Sequence, residues 1–91
     1  MILLKPFHES INNNIYLDTM DGEWIADIVF NKGNPYGFIK PNPNKNNTEH
    51  FLAKFKDIRF YGSVEEIKQQ IINELKDVGY HYPTEEQMLL L

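Results

Sequence analysis

Between Ile15 and Phe30, apolar and polar residues alternate on both sides of an Asp21-Gly22 pair. The two flanking segments read Ile-Tyr-Leu-Asp-Thr-Met and Glu-Trp-Ile-Ala-Asp-Ile-Val-Phe. An Asp-Gly dipeptide between alternating runs predicts a β-hairpin with a two-residue type I′ turn, because both central residues of that turn need positive φ. The pairing that follows sets Thr19 opposite Trp24, Asp18 opposite Ile25, Leu17 opposite Ala26, Tyr16 opposite Asp27 and Ile15 opposite Ile28. Side chains alternate across a strand. One face therefore carries Ile15, Leu17, Thr19, Trp24, Ala26, Ile28 and Phe30, and the other Tyr16, Asp18, Met20, Glu23, Ile25, Asp27 and Val29. The first set is almost wholly apolar and is expected to be the core face, since a slip of one residue would put Trp24, Ile28 and Phe30 into water.

The same alternation predicts further strands. Residues 2–7 are apolar around Lys5 and are expected to add an edge strand, with Pro6 either within that edge or ending it. Asn31 to Pro35 is a breaker cluster, and Tyr36 to Lys40 reads as a third, short strand. Pro41 to Asn47 has nothing to bury and is expected to be an exposed loop. Phe51 to Tyr61 reads as a fourth strand whose phase changes near Lys56-Asp57, the mark of a β-bulge.

The period then changes from two to between three and four. Val64, Ile67, Ile71, Leu75 and Val78 recur at helical spacing, with Ile72 widening the stripe, while Glu65, Glu66, Gln69, Asn73, Lys76 and Asp77 fall opposite. Ser63 followed by Glu66 forms a capping box at the start, and Gly79 stops the helix. A helix over about 64–78 would be about 22 Å long, enough to cross three or four strands. Thr84 with Gln87 forms a second capping box, which predicts a short C-terminal helix before Met88-Leu89-Leu90-Leu91. That apolar tail is expected either to fold back on the sheet or to dock on another protein or on a second copy, making a homodimer. The predicted fold is α+β: a small antiparallel sheet of three to five strands in a meander, hairpin at Asp21-Gly22, with one main helix packed on one face.

Ninety-one residues make one domain with one thin core. A hydrophobic fraction of 42% places the chain with globular rather than disordered proteins. The absence of cysteine excludes disulfides, a thiolate nucleophile and cysteine zinc sites. The start lacks the apolar core of a signal peptide, and no stretch approaches the ~18 apolar residues of a membrane span. Cytoplasmic residence without membrane contact is the expectation. The small size and the Asn-, Ile- and Lys-rich composition suit a phage or mobile-element origin.

Residue types that carry chemistry are present but poorly spaced for it. His8-Glu9-Ser10 has the members of a hydrolytic triad, yet adjacent residues do not face one another as nucleophile, base and orienting group. Glu49-His50 and His81 show no metal-ligand spacing with His8-Glu9. Asp18, Glu23 and Asp27 share a sheet face, where carboxylates are usually solvated and not separated in pKa as acid–base pairs must be. No enzyme, no catalytic residue, no metal and no cofactor are expected.

The net charge of −4 is unevenly distributed, with residues 1–31 at −4, residues 32–60 at +4 and residues 61–91 at −4. In the basic third, Lys32, Lys40, Lys45, Lys54, Lys56 and Arg59 are interleaved with Tyr36, Phe38, Phe51, Phe55 and Phe60. Cations for phosphates and rings for base stacking are what single-strand binding uses. The competing expectation puts the aromatics in the core and the lysines in solvent, and one arginine in an acidic chain favours it. The mixed face of the hairpin suits protein binding better. Tyr16, Met20, Ile25 and Val29 offer contact area, and Asp18, Glu23 and Asp27 offer charge.

A strand, the Asp21-Gly22 turn, a Trp24-x-Ala26 strand, a further strand and Gly62-Ser63-Val64-Glu65-Glu66 opening a helix resemble, over about half the chain, the small antitoxin domain of HicB type. The chain departs from that family in lacking its Pro-Gly segment before the helix and in carrying an Asn- and Pro-rich loop. No DNA-binding tail follows either. The expected function is a small non-enzymatic protein that binds another protein in a regulatory or inhibitory role, with nucleic-acid binding through residues 32–60 as the alternative.

Overall fold

The computed structural model of the chain describes residues 2–43, 55 and 58–90. The elements run β1 (Ile2–Leu3), β2 (His8–Glu9), β3 (Ile15–Asp18), β4 (Trp24–Asn31), β5 (Asn34–Pro41), β6 (Phe60–Tyr61), α1 (Val64–Asp77), β7 (Tyr80–His81) and α2 (Glu85–Leu89). Five strands form an antiparallel sheet in the order β2-β3-β4-β5-β6, and β1 pairs in parallel with β7. The α+β architecture of sheet plus one main helix and a short C-terminal helix is as the patterning predicts.

The hairpin register is the predicted one: Ile15 pairs with Ile28, Tyr16 with Asp27, Leu17 with Ala26 and Asp18 with Ile25. The turn is not. Gly22 has φ 75°, but Asp21 is not in the positive-φ region, so this is no type I′ turn. The loop widens to Met20–Glu23, closed where the Thr19 N–H donates to the Trp24 carbonyl at 3.1 Å and the Gly22 N–H to the Thr19 carbonyl at 3.0 Å. The Asp21 side chain explains the change. Its Oδ1 accepts from the Thr19 hydroxyl at 2.7 Å and from the Glu23 N–H at 3.1 Å, offering the backbone a side-chain turn in place of the two-residue one. The type I′ turn lies instead at Lys32-Gly33, with φ 54° and 85°, between the paired Asn31 and Asn34.

This second turn carries the third strand back to Asn34 and takes Phe30 out of the core. β3 begins at Ile15, opposite Ile28, so residues 29–31 have β5 alone as a neighbour. The ribbon runs past the core here, and Phe30 is 42% exposed. The rest of the predicted core face is buried: Ile15, Leu17, Thr19, Trp24, Ala26 and Ile28.

The N-terminal segment is two short strands rather than one. Lys5 N–H donates to the Asp18 carbonyl and Met20 N–H to the Leu3 carbonyl, both at 2.9 Å, which ties β1 alongside the end of β3. Ile2 and Leu4 N–H groups donate the other way, to the carbonyls of Gly79 and His81. Pro6 supplies no N–H, and pairing resumes at His8, opposite Tyr16. Of the expected fourth strand only Phe60–Tyr61 is strand among the described residues. Phe55 sits in a turn, its carbonyl accepting from the Ile58 N–H at 3.2 Å, and the expected bulge at Lys56-Asp57 lies outside the described residues.

Helix α1 forms where its capping box and stripe predict it. Ser63 Oγ accepts from the Glu66 N–H, the Glu66 carboxylate accepts from the Ser63 N–H, and Ile67, Ile71 and Leu75 are buried. The helix lies over β5 at Gly37, where a Cβ would stand 2.6 Å from Ile67 Cγ2 and 3.2 Å from Ile71 Cδ1. Close approach of helix and sheet thus depends on the missing side chain. Trp24 meets Phe55 edge-on at 4.9 Å, and Leu4, Ile39, Phe60 and Tyr80 complete the core.

The Thr84–Gln87 capping box opens α2 as predicted. The tail does not bury itself against the sheet: Leu89 and Leu90 are 87% and 88% exposed, and α2 buries no residue.

Candidate functional interface

With α1 on one face of the sheet, the other face is defined by strand parity. β3 and β4 present Tyr16, Asp18, Ile25, Asp27 and Val29, all half-buried, with Met20 and Glu23 at the loop. Five of the seven residues expected to form a partner-binding surface therefore lie on one side, and Met20 and Glu23 border it at the loop. Among the described residues no element packs across this side.

The register of the next strand enlarges it. Ile25 pairs with Lys40, Asp27 with Phe38 and Val29 with Tyr36, so those three residues of β5 share the outer face. Tyr61 joins it opposite Tyr36, and His8 opposite Tyr16. The result is a surface of aromatic rings: His8 and Tyr16 have centroids 5.9 Å apart, Tyr36 and Phe38 6.2 Å, and Tyr36 and Tyr61 6.5 Å. Pairs at such separations hold one another in place on a sheet.

Charge on this face is partly cancelled from within. Lys40 Nζ lies 3.1 Å from Asp27 Oδ2, and the same ammonium lies 5.9 Å from the centre of the Phe38 ring. The Arg59 guanidinium lies 5.4 Å from that ring. Phe38 thus carries two cations over its ring, an arrangement in which the negative face of the ring and the positive charges attract. Asp27 is answered by Lys40, which lowers the acid excess expected of this face.

The residues expected for nucleic-acid binding divide. Lys40 and Arg59 converge on Phe38, Lys32 sits in the tight turn of the β4–β5 ribbon, and Lys45, Lys54 and Lys56 lie outside the described residues. Phe55 and Phe60 are core residues, whereas Tyr36 and Phe38 face outward. The contribution of Tyr36, Phe38, Lys40 and Tyr61 to the hairpin face was not part of the sequence expectation. The signal was present: a two-residue turn at Lys32-Gly33 places Asp27 against Phe38.

Of the groups weighed for catalysis, Asp18 and Asp27 share the outer face with Glu23 at its loop, and the described histidines lie on different elements. His8 lies on the outer face by Tyr16, and His81 is in β7 on the far side of β1. Glu49 and His50 lie outside the described residues. No cluster of three His, Asp or Glu suited to a metal occurs among the described residues. No helix among them is long and apolar enough to cross a membrane.

The strongest electrostatic feature is structural and lies under the hairpin loop. Desolvation works to raise the Asp21 carboxyl, but hydrogen bonds from Thr19, Tyr80 and the Glu23 N–H outweigh it and hold the group below its ordinary range. Burial and the facing Asp21 carboxylate push the Tyr80 phenol well above its ordinary value, so it stays a donor. The Glu66 carboxyl is lowered by its bonds to Ser63 at the cap of α1.

No family model, curated protein or solved structure matches the chain.

Proposed function

We propose that this chain is a small non-enzymatic protein, resident in the cytoplasm, that acts by binding another protein through the outer face of its sheet, in a regulatory or inhibitory role. The observation that supports the reading is the pair of aromatic clusters on the outer face, His8 with Tyr16 and Tyr36 with Phe38 and Tyr61, with Ile25 and Val29 on the strand between them and Met20 at the loop. Tyr, Phe, Met and Arg are the side chains enriched where proteins meet, and the rigid rings among them give large contact area at low entropic cost. Charges of both signs are interspersed, which favours register and selectivity over simple attraction to a polyanion or polycation. The test is whether Ile25→Asp and Tyr16→Ala abolish a co-purifying partner while the fold stays intact.

One arrangement favours a second reading. Arg59 and Lys40 flank Phe38 beside Tyr36 and Tyr61, which is the combination of cation and stacking ring used on single-stranded nucleic acid. Three carboxylates on the same face oppose it. Affinity for single strands that falls steeply with added salt would support this reading; no binding at low salt would remove it.

A further inference from the structure

At one rim of the outer face, the N-terminal segment, the hairpin loop and α2 enclose an open groove of about 630 Å³. It is lined by Lys5, Pro6, His8, Met20, Met88 and Leu90. We infer that this groove binds a single-chain anionic amphiphile, a medium-chain fatty carboxylate, with its chain along Met20, Met88 and Leu90 and its head group at Lys5 and His8.

Four of the six lining side chains are apolar, and three of them are left in water: Met20 and Met88 are 42% and 37% exposed, Leu90 88%. Methionine side chains are unbranched and adapt to a flexible chain. An alkyl chain laid among these groups would remove both its own surface and theirs from water. The polar liners are Lys5 and His8, both able to donate to an anion, and among the described residues no carboxylate lines the groove. Charge complementarity therefore selects an acid over an amine of the same chain length. The size falls within the ~300–1,000 Å³ of small-molecule sites.

Two of the walls are fixed relative to one another. Lys5 N–H to the Asp18 carbonyl and Met20 N–H to the Leu3 carbonyl join the N-terminal segment to the hairpin at 2.9 Å. The third wall rests on the capping box of α2, in which Thr84 Oγ1 accepts from the Gln87 N–H at 3.2 Å and Gln87 Oε1 from the Thr84 N–H at 2.9 Å. The inference does not depend on which macromolecule the outer face binds, since its test uses the isolated chain and a small molecule.

The experiment titrates decanoate and decyltrimethylammonium, each below its micelle concentration, and follows backbone amide shifts by NMR. Decanoate is expected to give saturable shifts centred on residues 5–8, 20 and 88–90, and the cationic amphiphile weaker ones. Lys5→Glu should weaken decanoate binding roughly fivefold or more, as the loss of an exposed ion pair and its replacement by a like charge require. Leu90→Asp, at an exposed position, should remove most of the binding while the core amide shifts stay in place. Shifts scattered over the surface, equal affinity for the two head groups, or binding to phosphatidylglycerol vesicles without binding to decanoate would overturn the inference. So would a dimer in the absence of amphiphile that Leu90→Asp converts to monomer, because the groove would then belong to a second copy.

Discussion

The Tyr80 hydroxyl donates to Asp21 Oδ2 at 2.7 Å, joining residues 59 positions apart in the chain. The bond ties the hairpin loop to β7, and Asp21 uses its other oxygen to shape the loop through Thr19 and Glu23. A hydrogen bond to an ionised group in a partly wet site stabilises by about 1.5 kcal/mol. Tyr80→Phe is therefore expected to lower the unfolding free energy by about that amount without moving the outer face, and urea denaturation reads it directly.

The same bond sets a pH dependence. Asp21 has its folded pKa held below its ordinary value of 3.8, so in acid the unfolded chain takes up this proton first. Its contribution is complete above the ordinary value and is lost as pH falls through the lower, folded one. Denaturation midpoints should decline on acidification below about pH 4, and the decline should be shallower in Tyr80→Phe and in Asp21→Asn. A midpoint indifferent to these substitutions would show that Asp21 does not hold the loop.

Gly37 is the position at which helix and sheet touch most closely. Alanine there puts its Cβ within 2.6 Å of the buried Ile67 side chain, which is itself enclosed by the core. Overpacking of this kind costs about 1–3 kcal/mol. Thermal unfolding of Gly37→Ala should show that loss, and Gly33→Ala, with open space around it but φ 85°, should show a loss from backbone strain instead.

Lys32 holds a left-handed backbone at φ 54° without the side chain that favours it. Asparagine tolerates this region and leads the preferred pair of a type I′ turn. Lys32→Asn should stabilise the chain by about 0.5–1 kcal/mol, measurable as a higher denaturation midpoint.

These residues also mark what was legible in the sequence. The register from Ile15 to Ile28 follows from parity alone, because shifting it would expose Trp24 and Ile28. The helix follows from Ser63, Glu66 and the stripe of Ile67, Ile71 and Leu75, each local signal agreeing with the others. The turn type at Asp21-Gly22 does not follow, because a carboxylate that captures Thr19, Glu23 and the remote Tyr80 outweighs a dipeptide preference. Lys32-Gly33 was hidden by a lysine in a position usually held by Asn or Asp. That hidden turn also concealed the extent of the interface, since it brings Phe38 beside Asp27 and Tyr36 beside Val29. Phe30 followed its strand parity but lies beyond the length of sheet that the core covers.

The proposed role of the outer face is tested most directly by partner capture from the source cells with three proteins in parallel: the unaltered chain, Ile25→Asp and Tyr16→Ala. Ile25 and Tyr16 are half-buried on the face opposite α1, so Tyr16→Ala should cost about 1 kcal/mol, and Ile25→Asp, which sets a second carboxylate opposite Asp18, about 2 kcal/mol, with both chains still folded. The account predicts a stoichiometric protein partner on the unaltered chain that both variants lose. The same partners retained at unchanged affinity by both folded variants would contradict it.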